Sequence, residues 1–147
     1  MRILAYKGTS FTSRLIRLQT RSEYSHVSVQ LEDDTVIEAW GRGGVRHLSG
    51  PLEAHKEGTH IDSFVVNASV DEERVLGFLN SQLGKKYDFL SVMRFFTRRK
   101  SSADDRWFCS ELVVEAYRQG GVDLLKRLPS SYASPRDVVI SPLLVSV

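Results

Sequence analysis

An α+β fold is what this 147-residue sequence predicts, on three observations. Residues Tyr24 to Leu31 alternate apolar and polar side chains strictly, the period of a strand with one face buried. The acidic turn Glu32-Asp33-Asp34 leads into a second apolar run, Thr35 to Trp40, so the two segments read as a hairpin. Cys109, Leu112, Val113 and Ala116 fall at i, i+3, i+4 and i+7, the apolar stripe of an amphipathic helix. The length suits one domain over residues 1–147, and 41% apolar content is enough for a core without disulfides or a structural metal.

The remaining elements follow in order. Arg2 to Lys7 is a strand ended by Gly8. Ser10 to Thr20 spaces Phe11, Leu15 and Leu18 for a short helix with arginines between them and Ser10, Thr12 and Ser13 as caps. In the hairpin, Val27 faces Ala39 and Val29 faces Ile37, which needs a three-residue loop. That register makes His26 and Glu38 diagonal neighbours on one face, roughly 7–8 Å apart at the backbone. A two-residue loop would throw Glu38 onto the other face. Gly41 to Gly44 is a turn, Val45 to Leu48 a strand, and Ser49 to Thr59 a polar surface loop. Ile61 to Val66 returns to strand character.

Ser69-Val70-Asp71-Glu72 has the form of a capping box, and Val75, Phe78, Leu79 and Leu83 give the helix after it one packing stripe up to Gly84. Asp88 can cap a helix running through Phe96, and 97–105 reads as an exposed charged loop. Asp104 or Asp105 can cap the cysteine helix, which ends at Gly120-Gly121. Ser134-Pro135-Arg136-Asp137 starts a further helix with proline in its first turn, and Leu143 to Val145 can join the sheet as a last strand.

Several classes of function are disfavoured. One cysteine leaves no intramolecular disulfide and no multi-cysteine zinc pattern. The N-terminal apolar run is too short for a signal peptide and no stretch is long enough to span a bilayer, so a cytoplasmic protein without stable membrane insertion is expected. A net charge of +2 argues for no nucleic-acid partner, and the clusters Arg14, Arg17, Arg21 and Arg94, Arg98, Arg99, Lys100 read as solvated faces. The intervals between His47, His55 and His60 match no ligand pattern, so no metal and no other cofactor is expected.

The chemistry centres on Cys109. At a helix start, unpaired N–H groups favour a thiolate, the nucleophilic form. The same position also suits a buried, inert thiol, and the two readings are compatible if the sulfur faces a cleft. Thiol chemistry needs an imidazole to take and return a proton, and a polar group to orient it. His26, central to the best strand, offers the base, and Glu38 on the adjacent strand offers the orienter. Structural roles for both, a satisfied strand histidine and a hairpin carboxylate, stand beside that assignment.

Tyr24-Ser25-His26-Val27, the polar Glu38 twelve positions after His26, Gly84-Lys85-Lys86-Tyr87-Asp88-Phe89, and Phe108-Cys109-Ser110-Glu111-Leu112-Val113 occur in that order. With Ser134-Pro135-Arg136-Asp137 they resemble the circularly permuted branch of the NlpC-type papain-like superfamily, which includes YiiX-like proteins and relatives of lecithin retinol acyltransferase. The resemblance covers most of the chain, and histidine before cysteine is the permuted order. It implies an antiparallel sheet packed against a nucleophile-bearing helix and Cys109–His26–Glu38 catalysis. The third position varies between histidine and an acid in such relatives, which sets Glu38 nearer the YiiX side. Tyr87 is similar to a tyrosine whose hydroxyl helps bind an oxyanion with the Cys109 N–H; packing against the cysteine helix is its other role.

Three functions are therefore carried forward. The first is a thiol hydrolase that cleaves an amide or ester, a peptide or cell-wall peptide amide by resemblance, through an acyl-enzyme on Cys109. The second is a lipid-directed acyltransferase or phospholipase with the same site, its arginine clusters meeting anionic head groups. The third is a binding module that keeps the fold without covalent chemistry.

Overall fold

A computed structural model describes residues 1–53, 55–88 and 106–147. Its main feature is a six-stranded antiparallel sheet in the order β4-β3-β2-β1-β5-β8. The strands are β1 (Arg2–Lys7), β2 (His26–Gln30), β3 (Val36–Trp40), β4 (Gly44–Leu48), β5 (His60–Val66) and β8 (Leu144–Ser146). A separate parallel ribbon pairs β6 (Lys86–Tyr87) with β7 (Arg106–Trp107). The described helices are α1 (Phe11–Thr20), α2 (Glu72–Gln82), α3 (Cys109–Gln119) and α4 (Pro135–Val139), with a short 3₁₀ turn at Ser130–Tyr132. None of them is long and apolar enough to cross a membrane.

The hairpin takes the expected register: Val29 pairs with Ile37 and Gln30 with Val36. Leu31 N–H donates to the Thr35 carbonyl at 2.8 Å, and Asp34 closes the three-residue loop at φ 66°. A short polar side chain tolerates that left-handed backbone better than a branched one. Leu144–Ser146 adds to β5 as the edge strand, as its apolar run suggested.

One face of the sheet packs on α3. Ile3, Ala5, Val27, Val29, Ile37 and Ala39 form a single core with Leu112, Val113 and Ala116 of that helix. Leu112 is fully buried, so Leu112→Ala is expected to cost about 2–5 kcal/mol. The opposite face is covered as well. Leu4, Tyr6, Val36 and Leu48 make a smaller cluster there, and Ser28 and Glu38 on that face are completely buried. The alternation in β2 and β3 therefore separates an apolar face from a buried polar one, and a buried polar face must find partners within the protein.

Helix ends account for most departures from the sequence reading. The cap of α2 is Asp71, which accepts from the Arg74 N–H at 3.1 Å; Ser69 lies too early, and the box expected there is not the one formed. Leu83 follows the helix and is substantially exposed, while Gln82 turns inward and accepts from Trp107 Nε1 at 3.0 Å. In α3 the capping position is Phe108, with no side-chain cap bond. Asp104 and Asp105, the expected caps, fall outside the described residues, as do the helix expected from Asp88 through Phe96 and the loop at 97–105. The α4 start is as expected: Ser134 and Asp137 form a reciprocal capping box with Pro135 in the first turn.

Gly44 fixes a tight junction. Its φ is +69°, and a Cβ there would stand 2.0 Å from the Lys85 carbonyl oxygen. Val45 N–H donates to that same oxygen at 2.8 Å, so the end of the sheet is tied to the segment leading into β6. From β6 the tie continues: Tyr87 pairs with Trp107, and Asp88 N–H donates to the Trp107 carbonyl at 3.0 Å. Tyr87 is thereby brought beside the start of α3.

Candidate active site

His26 is the first residue of β2 and Cys109 the first of α3, so each stands at the end of its element, where sheet and helix can meet. The imidazole is engaged on both sides. Its Nε2 lies 2.7 Å from Glu38 Oε2, and the Cys109 sulfur is near enough to act on the same ring, for which Nδ1 is the nitrogen left. The other Glu38 oxygen, Oε1, accepts from Arg46 Nε at 3.0 Å and Nη2 at 2.6 Å. Arg46 comes from β4, directly opposite Glu38 in the ladder. A two-pronged guanidinium contact of this kind fixes the carboxylate plane, and that plane fixes the imidazole.

Electrostatics support a charged pair. Burial works against a protonated His26, yet the Glu38 carboxylate and the Cys109 sulfur outweigh it and hold the imidazole at about 9. Burial likewise pushes the Glu38 carboxyl up, but His26, His55 and Arg46 together hold it well below the usual carboxylate range. Around neutral pH the pair is imidazolium and carboxylate.

Tyr87 joins the same group. Its ring lies 5.8 Å from that of Phe108, and burial, reinforced by the charges of Cys109, Asp88 and Glu38, pushes its phenol far up. The hydroxyl is thus a neutral donor over the physiological range. Tyr87, His26 and Trp40 line a cleft of about 280 Å³, whose other walls include Ser10, Ser13 and Ile16 of the first helix and its cap, and Arg42. Cys109 itself is 1% exposed.

The site residues read from the sequence, Cys109, His26, Glu38 and Tyr87, are therefore assembled in one place. His55 was missed. The described residues of the loop 49–59 are irregular and mostly exposed, as expected, but the His55 side chain turns inward and is only 4% exposed. Its ring stacks on Tyr6 at 4.2 Å and meets Trp40 edge-on at 4.8 Å, and its Nε2 lies 3.2 Å from Glu38 Oε2. No periodicity exists in such a loop to signal which residue turns inward. His47 and His60, by contrast, bond to Thr35 and Asp62 at exposed positions.

Spacing among His47, His55 and His60 gave no ligand pattern, yet the fold assembles a different set. One ligand atom each from His26, Glu38 and His55 lies within 4.8 Å of the others. Two imidazoles and a carboxylate are the donor set of open zinc sites, and of related transition-metal sites. Tetrahedral bonds of about 2.0–2.2 Å put neighbouring donors about 3.3 Å apart. The His55–Glu38 separation of 3.2 Å already fits, the His26–Glu38 contact of 2.7 Å would open by about half an ångström, and the two imidazole nitrogens, within 4.8 Å of each other, would close by up to about 1.5 Å.

No family model matches the chain, and no curated protein matches it. Among solved structures it is similar to one titled the crystal structure of metalloprotein yiiX from Escherichia coli O157:H7, DUF1105. The two share 26% identity over 99% of this chain and 94% of that one, with a TM-score of 0.75. The chain has a yiiX-like α+β fold.

Proposed function

We propose that the protein is a cysteine hydrolase of the circularly permuted NlpC-type, papain-like architecture, acting on an amide or ester. One observation carries this reading: His26 is held between the Cys109 sulfur and the Glu38 carboxylate, and Arg46 locks that carboxylate from behind. Cys109 Sγ attacks the carbonyl carbon and the C=O π pair moves onto oxygen, with the Cys109 N–H and the Tyr87 hydroxyl as donors to it. Collapse re-forms C=O and breaks the bond to the amine or alcohol, which takes the Nδ1 proton of His26. Water then gives a proton to Nδ1 and attacks the thioester; the C–S bond breaks, and acid and thiolate–imidazolium are restored. Glu38 stays ionised throughout and keeps Nε2–H oriented. A peptide or cell-wall peptide amide is the favoured substrate class, by the resemblance of the motifs.

The test is alkylation of Cys109 by iodoacetamide across pH, in wild type and in His26→Ala. Wild type should react at neutral pH at least about tenfold faster than the His26→Ala protein, since that substitution removes both the base and the counter-charge available to the sulfur. Equal rates in the two proteins would end the proposal and favour a non-catalytic binding module.

A lipid-directed version of the same chemistry has its own support. Phe11 and Leu18 on α1 are 84% and 76% exposed, beside Arg14, Arg17 and Arg21, and the same helix walls the cleft that reaches His26. Apolar side chains flanked by cations suit an anionic lipid surface. The second arginine cluster, in the tract 94–100, lies outside the described residues. Cosedimentation with phosphatidylserine vesicles that survives moderate salt and is lost in Phe11→Ser/Leu18→Ser would favour an acyl-lipid substrate over a peptide. That yiiX is titled a metalloprotein bears on this chain through His26, Glu38 and His55, which have the ligand types of a zinc-class site.

A further inference from the structure

We propose that His26, Glu38 and His55 form a binding site for a zinc-class divalent cation, and that its occupancy withdraws His26 from thiol chemistry. The second part rests on the hydrolase reading above. The starting point is His55, which that chemistry does not use. One base and one orienter are sufficient for the thiol, and His26 and Glu38 supply them. A phenylalanine in place of His55 would fill the space against Tyr6 and Trp40 without burying a polar ring. Instead a second imidazole aims Nε2 at a carboxylate oxygen that His26 already contacts.

Three further features fit a cation there. The donors come from three separate segments, β2, β3 and the loop 49–59, and their atoms converge within 4.8 Å. Arg46 occupies Oε1 alone, which leaves Oε2 as a single, oriented donor between the two imidazoles. Tyr6 and Trp40 wall the rings with aromatic surface, which holds His55 in position and limits water. Cys109 lies outside the set, since the three converging atoms include no sulfur, and with Nε2 turned to Glu38 the ring has only the opposite nitrogen, Nδ1, to offer it.

That opposition makes the two uses of His26 exclusive. Catalysis needs an imidazolium with protons on both nitrogens, so that giving up the Nδ1 proton leaves a stable neutral ring. If Nε2 is a ligand instead, giving up the Nδ1 proton leaves an imidazolate. Such an Nδ1–H is a far weaker acid than imidazolium, and the departing amine or alcohol then goes unprotonated. Glu38 loses its role as orienter at the same time, because Oε2 becomes a ligand.

The experiment uses the full chain stripped with chelator, titrated with zinc against a chromogenic chelator, in wild type, Cys109→Ala, His55→Phe and His55→Gln. His55→Phe keeps the stacking on Tyr6 and His55→Gln keeps a polar contact to Glu38, so the two variants perturb the packing in different ways, and circular dichroism checks each for a fold defect. Wild type and Cys109→Ala should bind one zinc with similar affinity. Both His55 variants should lose more than the roughly 10–100-fold that a merely supporting residue is worth. In parallel, turnover of p-nitrophenyl acetate is measured with and without one equivalent of zinc, each protein serving as its own reference. The ratio should fall at least tenfold in wild type and stay near one in the His55 variants. Absent binding, or equal binding in the His55 variants, overturns the cation site; loss of binding in Cys109→Ala overturns the ligand assignment. Full turnover in zinc-saturated wild type overturns the exclusivity. Turnover that does not depend on Cys109 refutes the hydrolase reading and the exclusivity with it, while the binding titration still decides the site.

Discussion

Replacing Glu38 by glutamine removes one charge and almost no volume from the centre of the site. His26 stands at about 9 against an ordinary 6.5, a preference for imidazolium of about 3 kcal/mol. That preference exists although burial, the strongest single influence, opposes it; the Glu38 charge is the largest of the influences overcoming burial. Without it, burial is opposed by the Cys109 sulfur alone, and His26 in Glu38→Gln should titrate well below its wild-type position. A fall of about two units would take the imidazolium fraction at pH 8 from about nine-tenths to about one-tenth. The assay is a proton–carbon NMR titration of the histidine rings in chelator-treated protein between pH 5 and 10, with His26→Gln identifying the resonance. Iodoacetamide alkylation of Cys109 over the same range should lose its advantage at pH 8 by about tenfold. Arg46, partly exposed, can turn to water, so the variant should remain folded with a loss of about 2–3 kcal/mol. A His26 resonance that still titrates near 9 in Glu38→Gln would refute the claim that this carboxylate holds the charge.

Three other outcomes are expected. Tyr87→Phe should lower turnover of p-nitrophenyl acetate about 100-fold with little change in KM, the effect of losing one oxyanion donor, and a change within twofold would remove Tyr87 from that role. Gly44→Ala should cost at least about 2 kcal/mol in urea unfolding, because its Cβ would collide with the Lys85 carbonyl and its φ is positive; a midpoint equal to wild type would contradict the close approach. The pH dependence of stability has a definite sign. His26 is raised in the fold, so its contribution is fully present below about 6.5 and is lost as pH rises through about 9. Glu38 is depressed, so its contribution is present above about 4.5 and is lost as pH falls through its folded value. Urea midpoints should therefore be highest between about pH 4.5 and 6.5, and His26→Gln should flatten the decline above that window.

Most of the sheet was legible because strands announce themselves by alternation, and the pairing of Val29 with Ile37 followed from matching apolar residues across a turn of fixed length. The same register brought Glu38 to His26, so the contact at 2.7 Å was implicit in the spacing of two short runs. Helix ends were less legible. Asp71 outcompetes Ser69 as cap, and Phe108 stands where a polar cap was expected, because local preference for a cap is worth only about 1 kcal/mol and packing can override it. The parallel ribbon of β6 and β7 was not foreseen either, since two-residue strands carry no period.

Alone, the sequence determined the α+β alternation of elements, the hairpin register and the identity of the residues able to do thiol chemistry, because these depend on local periodicity and side-chain type. Tertiary structure decided what surrounds them. It turned His55 inward from an irregular loop and set Arg46 behind Glu38 across a ladder whose partner strand has no distinctive sequence. It also buried both faces of β1–β3, where the pattern suggested one. The physical reason is common to all three: a buried carboxylate must be satisfied by donors, and which donors arrive depends on where distant segments pack.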